Sequence, residues 1–182
     1  GRQPKIVCAV TGTSGKTSTT VFARQLWTVL GHRAGSMGTI GVVAPGYERG
    51  ESLTTPDPVE LHAILAELAR KDVDHVASEA SSHGLDQYRL DGVQLAAAAF
   101  TNLSRDHLDY HPSIEAYLAA KLRLFGDLIV ANGTAVIDVD DCYAGQVVET
   151  AQKRGLKIMT VGETGEGIGL VGGAIDGFAE AV

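Results

Sequence analysis

The sequence has few aromatic residues, few cysteines and no long apolar run. Aromatic residues make up only 5% of the chain, so its hydrophobic fraction of 45% comes mainly from aliphatic side chains. The two cysteines, Cys8 and Cys142, are far apart and do not form a metal-binding pair, which predicts reduced thiols in a cytoplasmic protein. Because no run of about 18 apolar residues occurs, the sequence predicts no membrane-spanning helix and no membrane partner.

Positive charge is also scarce. The chain carries 15 Lys and Arg against 22 Asp and Glu, a formal net charge of −7, which argues against general nucleic-acid binding because that needs a basic face. A local site can still bind ATP together with Mg²⁺. The chain starts at Gly1 rather than Met and stops at Val182 inside a strand-like stretch, so we expect a monomeric, single-domain piece of a longer polypeptide.

Short apolar runs alternate with stretches of helical spacing along the chain. The predicted strands are Lys5–Thr11, one strand within Arg33–Val43, Asp74–Glu79, Leu95–Phe100, Thr134–Val139 and Lys157–Val161. The predicted helices are Thr17–Leu30 closed by Gly31, Asp57–Lys71, Ser113–Leu124 and Asp141–Arg154. This alternation predicts an α/β fold in which a mostly parallel sheet is flanked by helices on both faces.

The remaining segments are predicted to be loops or irregular. Predicted loops are Gly12–Gly15, Tyr47–Pro56, Ser81–Gln87 and Thr101–His111, and the glycine-rich residues 163–182 are predicted to begin an antiparallel hairpin. Three polar clusters follow Thr11, surround Glu79 and follow Phe100, each at the end of a predicted strand. Because ligands of parallel sheets bind beyond the carboxyl ends of the strands, these clusters predict a shared site.

The strongest signal for function is the sequence TGTSGKTS between the first predicted strand and helix. In a loop of this kind, backbone N–H groups and a helix N-terminus bind phosphate, the lysine contacts the outer phosphates, and the following hydroxyl is offered to Mg²⁺. The usual pattern has another glycine at the place of Val10, so the loop is a variant, and the alternative is a chance Gly-Lys-Thr turn. The predicted nucleotide-binding residues are Gly12, Thr13, Ser14, Gly15, Lys16, Thr17 and Ser18.

Further polar residues lie at the other two clusters and in the helix that follows. The Glu79 carboxylate is either a Mg²⁺ ligand in the same crevice or an ordinary exposed side chain. His107, Asp109 and His111 alternate, which is compatible with a transition-metal site or with a solvated loop. Lys121 lies within a predicted helix and by itself indicates a surface lysine.

Five stretches together resemble the Mur ligases, in the family's order and at compatible spacings. They are Thr11–Ser18, Thr54–Asp57, Glu79–Arg89, Thr101–His111 and Ala119–Lys121. The segment SSHGLDQYR resembles most specifically the members that add the third amino acid of the peptidoglycan stem peptide. The glycine loop alone would also fit the related folylpolyglutamate synthetases.

The resemblance implies roles for individual residues. Lys16 would bind the phosphates of ATP, Thr17 and Glu79 would hold one Mg²⁺, and His107 would help to hold a second metal ion. Lys121 would be carbamylated by CO₂ and would then be an anionic metal ligand. The implied catalytic residues are Lys16, Glu79, His107 and Lys121, and the residues implied to contact the muramoyl dipeptide are Thr54, Thr55, Ser81, Gln87, Arg89 and Asn102.

The resemblance also implies a reaction and a domain organisation. The reaction is ATP-dependent amide-bond formation, in which UDP-N-acetylmuramoyl-L-alanyl-D-glutamate forms an acyl phosphate that the third amino acid, diaminopimelate or lysine, attacks. Residues 1–182 would be the ATP-binding central domain, inactive without an N-terminal domain for the uridine nucleotide and a C-terminal domain for the amino acid. Two alternatives are another ligase such as a folylpolyglutamate synthetase, and a non-catalytic P-loop nucleotide-binding module.

Overall fold

The computed structural model describes residues 1–50, 53–105, 109–163 and 168–169. Its strands are β1 (Ile6–Thr11), β2 (Ala34–Gly38), β3 (Gly41–Ala44), β4 (Tyr47–Arg49), β5 (His75–Glu79), β6 (Leu95–Phe100), β7 (Ile129–Asp138), β8 (Lys157–Gly162) and β9 (Ile168–Gly169). Within the described residues they form one nine-stranded sheet in the order β4-β3-β2-β5-β1-β6-β7-β8-β9. The pairs β2/β3 and β3/β4 are antiparallel and every other pair is parallel, which confirms the mostly parallel sheet.

Helices cover both faces of this sheet, as the sequence predicts. They are α1 (Lys16–Val29), α2 (Pro58–Arg70), α3 (Ser82–Asp86), α4 (Ile114–Arg123), which continues into a π-helical segment (Leu124–Leu128), and α5 (Ala144–Lys153). Helix α1 packs on β2, β5 and β1, and α5 packs on β7 and β8, whereas α3 and α4 pack on each other and α4 also contacts the π-helical segment. Among the parallel strands, the order runs one way from β1 to β2 and the other way from β2 onward, so crossovers of the usual right hand place α1 on one face and the later helices on the other. None of the helices in the described part of the chain is both long and apolar enough to cross a membrane.

The start of α2 follows from its sequence. The Asp57 side chain accepts hydrogen bonds from the backbone N–H groups of Val59 and Glu60, and Pro58 occupies the first helical position, where no N–H is needed. The apolar residues of α2 recur at helical spacing and are buried in the main core; they are Leu61, Ile64, Leu65 and Leu68.

Two predictions near the edge of the sheet are wrong in detail. The single strand predicted within Arg33–Val43 is a hairpin of β2 and β3, which turns at Thr39 and Ile40. The loop predicted over Tyr47–Pro56 begins with β4, which pairs with β3 at the sheet edge. Neither segment shows a clear alternation of apolar and polar residues, because β2 is buried along its whole length whereas β4 is largely exposed.

Two other predictions are also corrected. The predicted loop Ser81–Gln87 contains the short helix α3, whose first turn is capped by the Ser81 hydroxyl accepting from the Gly84 N–H. The described strand β9 pairs parallel to β8, so the antiparallel hairpin predicted for residues 163–182 is wrong at this point. The rest of that stretch lies outside the described residues.

The sheet register brings the three polar clusters together. Val10 of β1 is level with Glu79 of β5, and Thr11 of β1 is level with Phe100 of β6. The three strands are parallel neighbours and therefore end at the same edge, so the loops that follow them surround one crevice at the N-terminus of α1.

Candidate functional site

The glycine loop between β1 and α1 is held tightly against the loop after β6. A Cβ atom at Gly12 would lie 1.9 Å from the Oγ1 atom of Thr101 and 3.1 Å from the backbone nitrogen of Asn102, so only glycine fits there. Gly15 is the N-cap residue of α1, and no side chain caps this helix. A helix N-terminus of this kind binds anions through its first backbone N–H groups, and the helix dipole also favours negative charge there.

Side chains from the loop after β6 brace the glycine loop. The Asn102 amide accepts from the Ser14 N–H at 2.9 Å and donates to the Ser14 carbonyl at 3.3 Å. The Thr101 hydroxyl donates to the same carbonyl at 2.7 Å. The structure therefore places Asn102, predicted to contact the dipeptide, against the phosphate-binding loop, while Ser18 lies exposed in the first turn of α1.

Lys16 is folded back over the glycine loop. Its Nζ atom donates to the carbonyl oxygens of Gly12 and Thr13, both at 2.9 Å. These contacts hold the ammonium group at the mouth of the loop, where an anion on the helix N-terminus would meet it.

Glu79 lies at the end of β5 and is 1% exposed. Its Oε1 atom accepts from the Thr17 hydroxyl at 2.9 Å and from the Thr39 N–H at 3.0 Å. A Cβ atom at Gly38 would lie 2.0 Å from the same Oε1 atom, so the strand beside it must carry glycine. A hydroxyl oxygen and a carboxylate oxygen this close together are the hard ligands that Mg²⁺ prefers, and the donor set fits that ion.

Lys121 is buried rather than exposed, contrary to what its position in a helix indicates when taken alone. It is 1% exposed, and its Nζ atom donates to the Gly12 carbonyl at 2.8 Å. The ammonium group also lies 4.4 Å from the ring centroid of Tyr117, whose hydroxyl is 3.2 Å from the Thr13 hydroxyl. Tyr117 was not predicted from the sequence as a site residue, although a spacing of four residues places it on the same helix face as Lys121.

Lys16, Thr17, Glu79 and Lys121 line a single polar cavity of about 270 Å³. Its lining comprises Thr13, Gly15, Lys16, Thr17, Thr39, Thr54, Glu79, Ser81, Ser82, Tyr117 and Lys121. The Ser82 hydroxyl is buried and, in the described part of the chain, has no hydrogen-bond partner. Because buried hydroxyls are rarely left unpaired, this group is suited to a ligand or water in the cavity.

A second cavity, of about 200 Å³, adjoins the first and shares Thr54 and Ser81 with it. The Arg89 guanidinium lines it and donates to the Thr55 carbonyl at 2.7 Å. The Gln87 side chain accepts from Arg89 Nε at 3.0 Å and thereby orients it. Five of the six residues predicted to contact the dipeptide thus lie in or beside this cavity.

The predicted second metal site cannot be assembled from the described part of the chain. His107 lies outside the described residues. Asp109 is exposed, whereas His111 is 3% exposed and its ring centroid lies 5.2 Å from that of Tyr117. A metal site formed by these three residues therefore stays a prediction.

Comparison with known proteins gives one consistent result. Residues 10–174 match the Mur ligase middle domain. The UDP-N-acetylmuramoyl-L-alanyl-D-glutamate--2,6-diaminopimelate ligase of Bradyrhizobium diazoefficiens is 54% identical over 182 residues, which cover 98% of this chain and 38% of that protein. The ligase of the same name from Rhizobium meliloti is 58% identical over 170 residues, covering 93% of this chain and 35% of that protein.

A solved structure of a ligase with this name is also similar. It matches with a TM-score of 0.79 and 37% sequence identity, over 90% of this chain and 33% of that chain. The chain therefore spans only between a third and two fifths of the length of these relatives.

Proposed function

The chain belongs to the Mur ligase family, and we propose that it is the ATP-binding middle domain of a ligase that adds 2,6-diaminopimelate to UDP-N-acetylmuramoyl-L-alanyl-D-glutamate. One observation carries the proposal: Lys16, Thr17, Glu79 and Lys121 line a single cavity at the N-terminus of α1. The relatives' names support the substrates, and the middle-domain match supports the place of residues 1–182 within a longer enzyme.

In this proposal the first cavity binds the phosphates of ATP. The N-terminal N–H groups of α1 and the Lys16 ammonium would offset the phosphate charge, and Thr17 and Glu79 would hold Mg²⁺. The ion would supply charge neutralisation during phosphoryl transfer. Asn102 would act on the nucleotide indirectly, because its side chain fixes the position of Ser14 in the loop.

The second cavity would bind the dipeptide end of the UDP-linked substrate. Arg89 is suited to a carboxylate because its planar guanidinium can donate to both oxygens. Thr54 and Ser81 line both cavities, so a carboxylate bound beside them would face the outer phosphate of ATP. Attack by that carboxylate on the γ-phosphorus would break the β–γ P–O bond, release ADP and give an acyl phosphate. The amine of diaminopimelate would then displace phosphate and lose a proton to form the amide. Most of the protein's contribution would be positioning and electrostatics.

Carbamylation of Lys121 is a further part of the proposal. The ammonium would first lose one proton. The neutral amine would then form an N–C bond to CO₂ and release a second proton, so that a buried cation becomes an anionic oxygen ligand beside the phosphate site. We expect a carbamate signal in ¹³C NMR spectra recorded with ¹³C-bicarbonate, absent in Lys121→Ala and retained in Lys153→Ala, whose side chain is 73% exposed. A spectrum without this signal at saturating bicarbonate would remove the modification. His107 as a ligand of a second metal ion is also proposed from the resemblance.

The location and assembly of the protein complete the proposal. We propose a cytoplasmic monomer that takes only small molecules as partners, in keeping with the nucleotide and peptide substrates named for its relatives.

The first test is a calorimetric titration with a non-hydrolysable ATP analogue, with and without Mg²⁺. Binding should depend on Mg²⁺ and should be lost in Lys16→Ala, because the ammonium group lies at the phosphate-binding loop. The matched control is Lys153→Ala, which removes a lysine paired with Glu149 on the far surface. Binding of the same strength in Lys16→Ala would place the nucleotide elsewhere.

The alternatives are separated by phosphate release in the full-length protein. We expect release only when ATP, the UDP-linked dipeptide and diaminopimelate are all present. Release with a folate and glutamate would favour a folylpolyglutamate synthetase, which the names of the relatives above 50% identity do not favour. Nucleotide binding without release under any of these conditions would favour a non-catalytic module.

A further inference from the structure

A cluster of histidine and aspartate side chains, types that can bind metal ions, lies at the N-terminal end of β5, whereas Glu79 lies at its C-terminal end. It consists of His32, Asp74 and His75, whose ligand atoms all lie within 4.8 Å of one another. His75 Nδ1 is 2.8 Å from one carboxylate oxygen of Asp74, and His32 Nδ1 is 3.9 Å from the other. The two imidazole rings are 4.0 Å apart between centroids. Among the described residues, this is the one group of three or more His, Cys, Asp or Glu side chains with such spacing.

The backbone holds the cluster in place. His32 follows α1, and its N–H donates to the Trp27 carbonyl at 2.9 Å. The Asp74 N–H donates to the Arg33 carbonyl at 2.9 Å, next to the parallel pairing of β2 with β5. The three side chains therefore come from two segments that the sheet fixes side by side, as a preorganised site requires.

We propose that His32, Asp74 and His75 form a site for one divalent transition-metal ion of the zinc or nickel class. Two imidazole nitrogens and one carboxylate oxygen are a donor set that such ions prefer, with water in the remaining positions. Metal–ligand bonds of about 2.0–2.2 Å place neighbouring ligands roughly 3.3 Å apart in a tetrahedral site. The His75 and His32 nitrogens lie 2.8 and 3.9 Å from different oxygens of Asp74, and a rotation that turns one oxygen toward both rings would complete the site.

Access and chemistry both distinguish this site from the proposed Mg²⁺ site. The side chains of His32 and Asp74 are each 41% exposed, so an ion can reach them from solvent. Four residue-to-residue steps of extended strand separate His75 from Glu79, a distance of about 13 Å. Mg²⁺ prefers oxygen ligands and retains its water, so it should not compete for two imidazoles.

Bound metal should stabilise the fold. An ion held by His32 and His75 would tie the connection after α1 to the start of β5, and a ligand that binds only the folded state raises its stability by mass action. The binding would require deprotonated imidazoles, because the metal ion and a proton compete for the same ring nitrogen.

The protein contains a built-in reporter for the test. Trp27 is the single tryptophan of the chain, and its ring centroid is 5.2 Å from that of His75. Titration of the 182-residue chain, without a histidine tag, with Ni²⁺ should quench tryptophan fluorescence and saturate at one equivalent. Zn²⁺ should displace Ni²⁺ and reverse the quenching, and it should raise the melting temperature. Excess Mg²⁺ should not quench the fluorescence, because it does not compete for the two imidazoles.

Variants make the assignment specific. His32→Gln, Asp74→Asn and His75→Gln should each weaken Ni²⁺ binding at least tenfold, while circular dichroism verifies that each is folded. The first control is His62→Gln, because His62 lies in α2 beside Asp91 and away from the cluster. The second is Cys8→Ala, because Cys8 and Trp27 line the same groove.

The proposal fails on any of three results. These are unchanged Ni²⁺ affinity in His32→Gln and Asp74→Asn, quenching that Cys8→Ala abolishes, or no saturable binding of Ni²⁺ or Zn²⁺ to the unaltered chain. In each case the three side chains would be only an ion-paired, hydrogen-bonded surface cluster.

Discussion

The carboxylate of Glu79 fits against β2 only because residue 38 has no side chain. A Cβ atom there would lie 2.0 Å from Glu79 Oε1 and 2.5 Å from its Cγ atom. Gly38→Ala should therefore displace the carboxylate from Thr17 and Thr39, lower the free energy of unfolding by about 1–3 kcal/mol and weaken Mg²⁺-dependent nucleotide binding. Urea denaturation and calorimetry measure the two effects. Gly50→Ala is the control, because nothing lies within 4 Å of its Cβ position, and equal effects in both variants would contradict this account.

The two cysteines should differ in reactivity. Burial raises the pKa of the Cys8 thiol to about 11, although a backbone hydrogen bond at Ala97 opposes the rise, whereas Cys142 is exposed. Since the thiolate is the nucleophile, alkylation of Cys8 by iodoacetamide should be slow at pH 8 and should rise about tenfold per pH unit while the chain stays folded. Peptide mass spectrometry after timed quenching measures both sites. A rate at Cys8 that levels off near pH 9 would be inconsistent with the raised pKa.

Individual site residues were predictable where a motif carries them. Lys16 and Thr17 follow from the glycine loop. The position of Glu79 at a strand end left both a Mg²⁺ ligand and an ordinary exposed side chain open, and only the resemblance to the Mur ligases favoured the ligand. Thr39 could not be predicted, because its contact with Glu79 depends on the hairpin turn between β2 and β3. The burial of Lys121 could not be predicted from the sequence either, because it arises where α4 packs against the glycine loop.

Helix α2 depends on its N-cap. Asp57→Ala would remove the acceptor for the N–H groups of Val59 and Glu60, and should cost about 1 kcal/mol. For a chain of this length the melting temperature should fall by roughly 2–4 °C. Differential scanning calorimetry measures the shift. Asp57→Asn retains an acceptor oxygen and should recover most of the stability; if it melts as low as Asp57→Ala, the loss has another cause.

The elements that the sequence predicted share a strong local signal. An apolar β-branched run predicted β1, an apolar run predicted β6, and the Asp-Pro start predicted α2. The elements β4 and α3, which were not predicted, are only three and five residues long. Segments this short do not show a hydrophobic periodicity in the sequence. The parallel pairing of β9 with β8 is a tertiary property, because the same glycine-rich residues would fit either direction.

The nucleotide cavity and the proposed transition-metal site lie at opposite ends of one strand. Glu79 ends β5 at the nucleotide cavity, and His75 begins it at the proposed transition-metal site. Because mutations more than about 7–10 Å apart without shared partners have additive effects, binding at one site should be independent of the other. The sheet therefore holds both sites in place, but their side chains do not contact each other.

Thermal unfolding tests this independence. A Mg²⁺-bound ATP analogue at about 100 times its dissociation constant should stabilise the fold by roughly 2.7 kcal/mol, and so raise the melting temperature by about 5–10 °C. Lys16→Ala should abolish the rise, because it removes the cation at the phosphate-binding loop. His75→Gln should lower the melting temperature of the free protein slightly but leave the nucleotide-induced rise intact. If the rise also disappears in His75→Gln, the two ends of β5 are coupled, and occupancy of the metal site would then control nucleotide binding.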